Sequence, residues 1–251
     1  MLSNKTQTLL RKLSQKKYRK EMQAFVVEGR KGVEEALEYA DVLMLVIDGA
    51  KREDESLATL IKIADKNDVL VEYAGHKDIV AMKHTETFPG VLAVVAMPDE
   101  QDEITDETVI ILDKVNDPGN LGTIIRTADW FGVHTIILSE GSVDPYNEKV
   151  VRSTMGSIFR ANIIQSHNIK SDIEYLKDSG YSIAALDLKG ESIKKAKRGS
   201  KQVLIFGSES HGISKELCSL IDVSYTISGN GKAESLNIAM SVGITLFQVY
   251  S

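Results

Sequence analysis

Residues 108–140, TVIILDKVNDPGNLGTIIRTADWFGVHTIILSE, decide how this chain is read. The stretch opens on an apolar segment, TVIILDKV, and crosses Asn116-Asp117-Pro118-Gly119-Asn120, whose composition marks a turn. A helical pattern follows from about Leu121, stops at Gly132, and gives way to a second apolar segment, HTIILSE. Strands that are apolar throughout and are joined by a helix belong to a parallel sheet covered on both faces. The alternation continues downstream: a helix from about Asn147, the strand RANIIQ, the helix SDIEYLKDSG, the strands YSIAALDL, QVLIF and VSYTIS, and an apolar C-terminal helix. In such sheets ligands sit in the loops at the carboxyl ends of strands.

Upstream of this block, Pro98-Asp99-Glu100-Gln101-Asp102-Glu103 is acidic and without apolar periodicity. It predicts a linker over 98–106 between a main domain at 107–251 and a small α/β domain at 21–97. The small domain alternates AFVVEG, the helical KGVEEALEYA, the strand VLMLVID, the helix SLATLIKIADKN and the strands VLVEY and GVLAVVA. Residues 1–20 hold Lys5, Arg11, Lys12, Lys16, Lys17, Arg19 and Lys20 and no acid. Against a total of -6, the other 231 residues therefore carry -13. A basic N-terminal arm on an acidic body suits a polyanionic partner, and a solvated terminal helix is the plainer alternative.

Composition removes several classes. One cysteine makes no internal disulfide, and five scattered histidines show no metal-ligand spacing, so no metal is expected. Apolar stretches such as 91–97 and 203–206 are strand-length, well short of the ~20 residues of a membrane helix. The polar, basic start shows no signal-peptide pattern, and the expectation is a cytoplasmic protein without membrane contact.

Three loops stand out in composition. In the first, Asn120 suits a helix cap, and Leu121, Ile124, Ile125, Ala128, Trp130 and Phe131 imply a buried helix in which Arg126 needs a partner or a task. The second, Gly207-Ser208-Glu209-Ser210-His211-Gly212, lets a ligand approach the backbone, yet Glu209 stands where a nucleophile elbow needs serine. The third runs Ile227-Ser228-Gly229-Asn230-Gly231-Lys232-Ala233-Glu234-Ser235-Leu236-Asn237. It lacks the Walker pattern, with Thr226 and Ala233 at required positions, and lacks the third glycine of a dinucleotide fingerprint. An ATPase or NAD enzyme is therefore poorly supported, and Ser235 and Asn237 read equally well as helix caps.

Taken together, DPGNLGTIIRTADWFG, LIFGSESHGIS and ISGNGKAESLNIAMSVGITLF resemble the three motifs of the TrmH/SpoU family in the SPOUT superfamily, the S-adenosylmethionine-dependent RNA 2′-O-ribose methyltransferases. Residues 151–159, Val151-Arg152-Ser153-Thr154-Met155-Gly156-Ser157-Ile158-Phe159, look like the family's Arg-x-Ser-x-Gly-x-x-Phe segment, and FVVEGRKGVEEAL is similar to the start of its small substrate-binding domain. The resemblance implies a parallel sheet with a C-terminal trefoil knot, preceded by a small α/β RNA-binding domain. It implies that Arg126, Asn120, Glu209, Ser235 and Asn237 line the catalytic site. Gly207, Ile227 and Leu236, with Leu186 at the end of YSIAALDL, would contact S-adenosylmethionine. It also implies a homodimer packed through the C-terminal helix. The small domain favours ribosomal over transfer RNA as substrate; the alternatives are a transfer-RNA enzyme and a non-catalytic RNA-binding assembly factor. For Arg126, a guanidinium of pKa above ~12 is a poor base, so the expected role is stabilising the developing alkoxide and binding the adjacent phosphate.

Overall fold

Two sheets organise the chain. The computed structural model describes all residues except 83–87, 100–103 and 209–210, and divides into one unit of Met1–Asp99 with Tyr146–Phe159 and a second of Glu100–Pro145 with Arg160–Ser251.

The first unit begins with helices α1 (Asn4–Leu13) and α2 (Lys16–Met22), followed by β1 (Ala24–Glu28), α3 (Arg30–Tyr39), β2 (Val42–Asp48), α4 (Glu55–Lys66), β3 (Leu70–Ala74), α5 (His76–Met82) and β4 (Val91–Ala96). Its sheet order is β1-β4-β2-β3, with β4 antiparallel to both neighbours and β2 parallel to β3. The short helix α5 was not legible in the sequence pattern.

Residues 1–20, expected as an arm, are folded into this unit. Ser3 caps α1 by accepting the Thr6 N–H at 3.1 Å, and Thr6, Leu10 and Leu13 bury one stripe of the helix with Leu2 ahead of it. Arg19 is buried, and its Nη1 donates to the Leu13 carbonyl at 2.8 Å, where a cation complements the end of α1. Lys5, Arg11, Lys16, Lys17 and Lys20 occupy the exposed face. Apolar residues at helical spacing among the lysines drive this packing, and the charge count had masked them.

The buried Asp78 fastens this terminus. Its carboxylate accepts the Leu2 N–H at 3.0 Å, the Gly75 N–H at 2.8 Å and the Gln7 side-chain amide at 2.9 Å. The Leu2 bond above all holds its pKa below the usual carboxylate value, against the opposing effect of burial. A depressed folded-state pKa gives stability that is present above the unfolded value, ~3.9, and lost as pH falls through the folded one. Acidification below about pH 4 should therefore weaken amide-exchange protection in α1 more in the wild type than in Asp78→Asn; equal acid sensitivity would remove Asp78 as the cause.

The second unit is a six-stranded sheet, parallel throughout. It starts with β5 (Thr108–Asp113), α6 (Pro118–Trp130) and β6 (Thr135–Leu138). The chain then enters the segment 146–159, which bears α7 (Glu148–Thr154) and is assigned to the first unit. There Phe25 meets Tyr146 and Phe159 at ring centroid distances of 4.8 and 6.3 Å, and Arg152 pairs with Glu28 at 2.9 Å. The second unit resumes with β7 (Asn162–Gln165), α8 (Ile169–Asp178), β8 (Ser182–Ser192), β9 (Gln202–Gly207), β10 (Val223–Thr226) and α9 (Ile238–Tyr250). Strand order is β10-β8-β9-β5-β6-β7, so the fully buried β5 lies inside the sheet.

Helix α6 differs from expectation in two ways. It begins at Pro118, capped by Asp117, whose Oδ1 accepts the Asn120 N–H at 2.7 Å, so Asn120 lies in the first turn and is not the cap. Its buried stripe is Leu121, Ile124, Ile125 and Ala128, while Arg126 is exposed and Trp130 is 85% exposed. Helical periodicity places 126 and 130 off that stripe, so Arg126 is not the buried cation the composition suggested.

Candidate active site

Three strand ends, β5, β9 and β10, deliver the three loops at the carboxyl edge of the second sheet. After β9, Gly207 lies close against Gly212 and Ile213. A Cβ built on Gly207 would lie 2.1 Å from the Gly212 carbonyl carbon, because the chain folds straight back over itself. Ser208 bridges to Gly212, whose N–H donates to the Ser208 carbonyl at 2.9 Å. Only glycine at 207 allows this approach.

Beside the loop lies a cavity of about 1010 Å³. Its wall includes Leu186, Gly207, Ile227, Ser235 and Leu236 of the predicted residues, with Asp187, His211 and Glu234 added. Among the described lining residues there are carboxylates and no lysine or arginine. Exposed backbone near Gly207, an apolar wall and net negative charge suit a ligand with an apolar ring system and a positive centre. Those features fit S-adenosylmethionine, with its adenine and its cationic sulfur.

Asn120 and Asn237 form the second feature. Asn237 caps α9, its Oδ1 accepting the Ala239 N–H at 2.9 Å and the Met240 N–H at 3.3 Å. The same side chain donates through Nδ2 to Asn120 Oδ1 at 3.0 Å. Capping and site-building are thus the work of one residue, and the bond ties the first motif to the third. Helices α6 and α9 pack against each other from this point.

The remaining predicted residues divide. Arg126 is solvent-facing, outside the cavity wall, and no hydrogen bond or ion pair holds its guanidinium among the described residues. Glu209 lies outside the described residues. The sequence reading missed Asp113, a buried acid ending the otherwise apolar or threonine-bearing β5; its signal was a charge at the mouth of such a strand.

Comparison with known proteins gives the family. Residues 107–247 match the SpoU rRNA Methylase family, and residues 4–85 match an MRM3-like substrate binding domain. The fold and the loop arrangement define a SpoU-type methylase with an added N-terminal domain, and the chain belongs to the SpoU rRNA Methylase family. It is similar to the 23S rRNA (guanosine(2553)-2′-O)-methyltransferase RlmP of Bacillus subtilis, at 32% identity over 95% of this chain and 93% of that one. Among solved structures, it is similar to a putative RNA methyltransferase of the TrmH family from Porphyromonas gingivalis, with TM-score 0.87 and 33% identity over 99% and 98% of the two chains. It is also similar to an AdoMet-bound rRNA methyltransferase from Sinorhizobium meliloti, with TM-score 0.86 and 31% identity over 99% and 95%.

Proposed function

We propose that this protein methylates a ribose 2′-hydroxyl of ribosomal RNA, using S-adenosylmethionine bound in the cavity at Gly207, Ile227, Leu236 and Leu186. The observation that carries the proposal is the Asn120–Asn237 bond, which closes the first motif on the third next to a cavity suited to that cofactor. The full-length similarity to a ribosomal RNA 2′-O-methyltransferase supports the substrate class.

Bound there, the cofactor supplies a methyl group on a cationic sulfur. The protein must then place a hydroxyl oxygen in line with that carbon and stabilise its charge as the proton leaves. Arg126, exposed and unpaired among the described residues, can close on the RNA phosphate and on the developing alkoxide once substrate arrives. Asn120 and Asn237, locked together, and Ser235 on the cavity wall orient the nucleotide. Glu209 takes its role, orienting ligand atoms beside the end of β9, from the resemblance alone.

The experiment is incubation with tritiated S-adenosylmethionine and separate ribosomal and transfer RNA from cells lacking the gene. Label in one ribosomal fragment, resistant to alkaline cleavage at a single nucleotide, is the expected result. Label confined to transfer RNA overturns the substrate class, and absence of both label and cofactor binding overturns the enzymatic reading.

The proposal extends to partners. The exposed lysines of α1 and α2 offer a cationic face to RNA phosphates. Because residues 1–20 contribute to the core, charge reversal tests this better than truncation. Lys16→Glu with Lys17→Glu should lower RNA affinity and reduce the slope of log affinity against log salt by about 2, leaving cofactor affinity unchanged.

A homodimer in the cytoplasm belongs to the same reading. Met240, Ile244 and Phe247 follow one another at helical spacing on α9, 52, 40 and 64% exposed, with Trp130 on the adjoining α6. A second copy would cover this apolar face. Phe247→Glu is expected to convert a dimer to a monomer in sedimentation velocity; a monomeric wild type would remove the dimer from the proposal. The knot fits the topology: β10 is an edge strand beside β8, yet α9 returns to pack on α6.

A further inference from the structure

Strand β5 ends on a carboxylate that the catalytic reading leaves unused. Asp113 is 1% exposed and stands in register with Gly207 on the neighbouring β9, where the cavity wall begins. One oxygen accepts the Ser214 N–H at 2.8 Å, at the exit of the Gly207 loop. The other accepts the Ser139 hydroxyl at 3.0 Å, and that hydroxyl oxygen itself accepts the Lys114 N–H at 2.8 Å. The neighbouring Lys114 is exposed and donates its ammonium to Ser214 Oγ at 3.2 Å. No ion pair neutralises Asp113 among the described residues.

A buried carboxylate satisfied only by neutral donors is costly. Asparagine of the same shape could pin Ser214 at lower cost, so pinning alone does not account for a charge here. The cavity lined by the adjoining Gly207 supplies the counterpart. Its described wall has no lysine or arginine, and Asp187 and Glu234 add to the negative potential. S-adenosylmethionine carries a sulfonium, an ammonium and a carboxylate, one net positive charge; after methyl transfer the sulfonium becomes a neutral thioether and the product has none.

We propose that Asp113 is a positioning and specificity residue: its buried charge beside Gly207 on the adjoining strand makes the site favour the cationic cofactor over its neutral product, S-adenosylhomocysteine. The loop bond to Ser214 fixes the backbone that both compounds meet, and the charge separates them. Product release is thereby favoured without any movement of the loop. The inference rests on the cofactor reading given above.

Calorimetric titration of the full chain with both compounds tests it without requiring turnover. Asp113→Asn keeps an acceptor for the Ser214 N–H and removes the charge. The ratio of cofactor to product affinity should fall about tenfold, chiefly through weaker cofactor binding, as expected for one charge acting across a partly solvated site. Ser139→Ala, which keeps the charge and removes one donor, should leave the ratio unchanged. An unchanged ratio in Asp113→Asn, or an equal fall in Ser139→Ala, overturns the proposal. Should Asp113→Asn fail to fold, the wild type still tests the charge preference on which the proposal depends: sinefungin, which carries a protonated amine in place of the sulfonium, must bind more tightly than S-adenosylhomocysteine. Equal binding of those two overturns the proposal. A wild type that binds none of the three compounds overturns the cofactor reading itself, and this inference with it.

Discussion

Arg126→Ala should lose about 1000-fold in turnover while melting within a degree or two of the wild type and binding S-adenosylmethionine unchanged. The separation follows from where the side chain stands. Arg126 is exposed, off the buried stripe of α6 and outside the cavity wall, so removing it creates neither a void nor an unsatisfied buried group. Its whole contribution then lies in the substrate complex, where a cation beside the hydroxyl and its phosphate acts on charge that appears only during reaction. Arg126→Lys retains the charge and should keep measurable turnover. If lysine is as inactive as alanine, the planar two-pronged geometry of the guanidinium is the requirement. Full activity in Arg126→Ala would remove this residue from the mechanism.

Gly207→Ala should act in the opposite way, through the protein before the substrate. Its Cβ would lie 2.1 Å from one backbone atom of the return chain and 2.3 Å from another, the Ile213 nitrogen. Backbone cannot rotate aside as a side chain does, so the loop must open. Forcing such space typically costs about 1–3 kcal/mol, and here the displaced atoms are the cavity wall. A fall in cofactor affinity of about 10- to 100-fold is expected by calorimetry, together with a lower melting temperature. Unaltered cofactor affinity would show that the closed form of this loop is not the one that binds.

Legibility in the sequence followed the range of the forces involved. The inner strands β5 and β9 and the neighbouring β6 were readable from their apolar runs, and α9 because its boundaries coincide with Asn237 and the end of the apolar run. The direction of β4, antiparallel to both neighbours, was not, since an apolar run looks the same whichever way it pairs. The exposure of Arg126 was misread because α6 carries apolar residues on two faces, and only packing tells which face is covered. Within the candidate site, the family resemblance pointed to Asn120 and Asn237, but their hydrogen bond joins residues 117 positions apart, and no local pattern encodes it. Asp113 was missed for a related reason: its partners, Ser139 and Ser214, come from two separate later loops.

The assignment of segment 146–159 to the first unit has a consequence for how the protein comes apart. A chain built as beads on a string releases its parts after one cut between them. Here the polypeptide crosses from one unit to the other three times, after Asp99, after Pro145 and after Phe159. Nicking the acidic stretch leaves the N-terminal fragment still gripping α7 through Phe25 and Glu28, so the two fragments should travel together on a native column and separate only in denaturant. A gene fragment ending at residue 99 would likewise encode a unit missing part of its own wall.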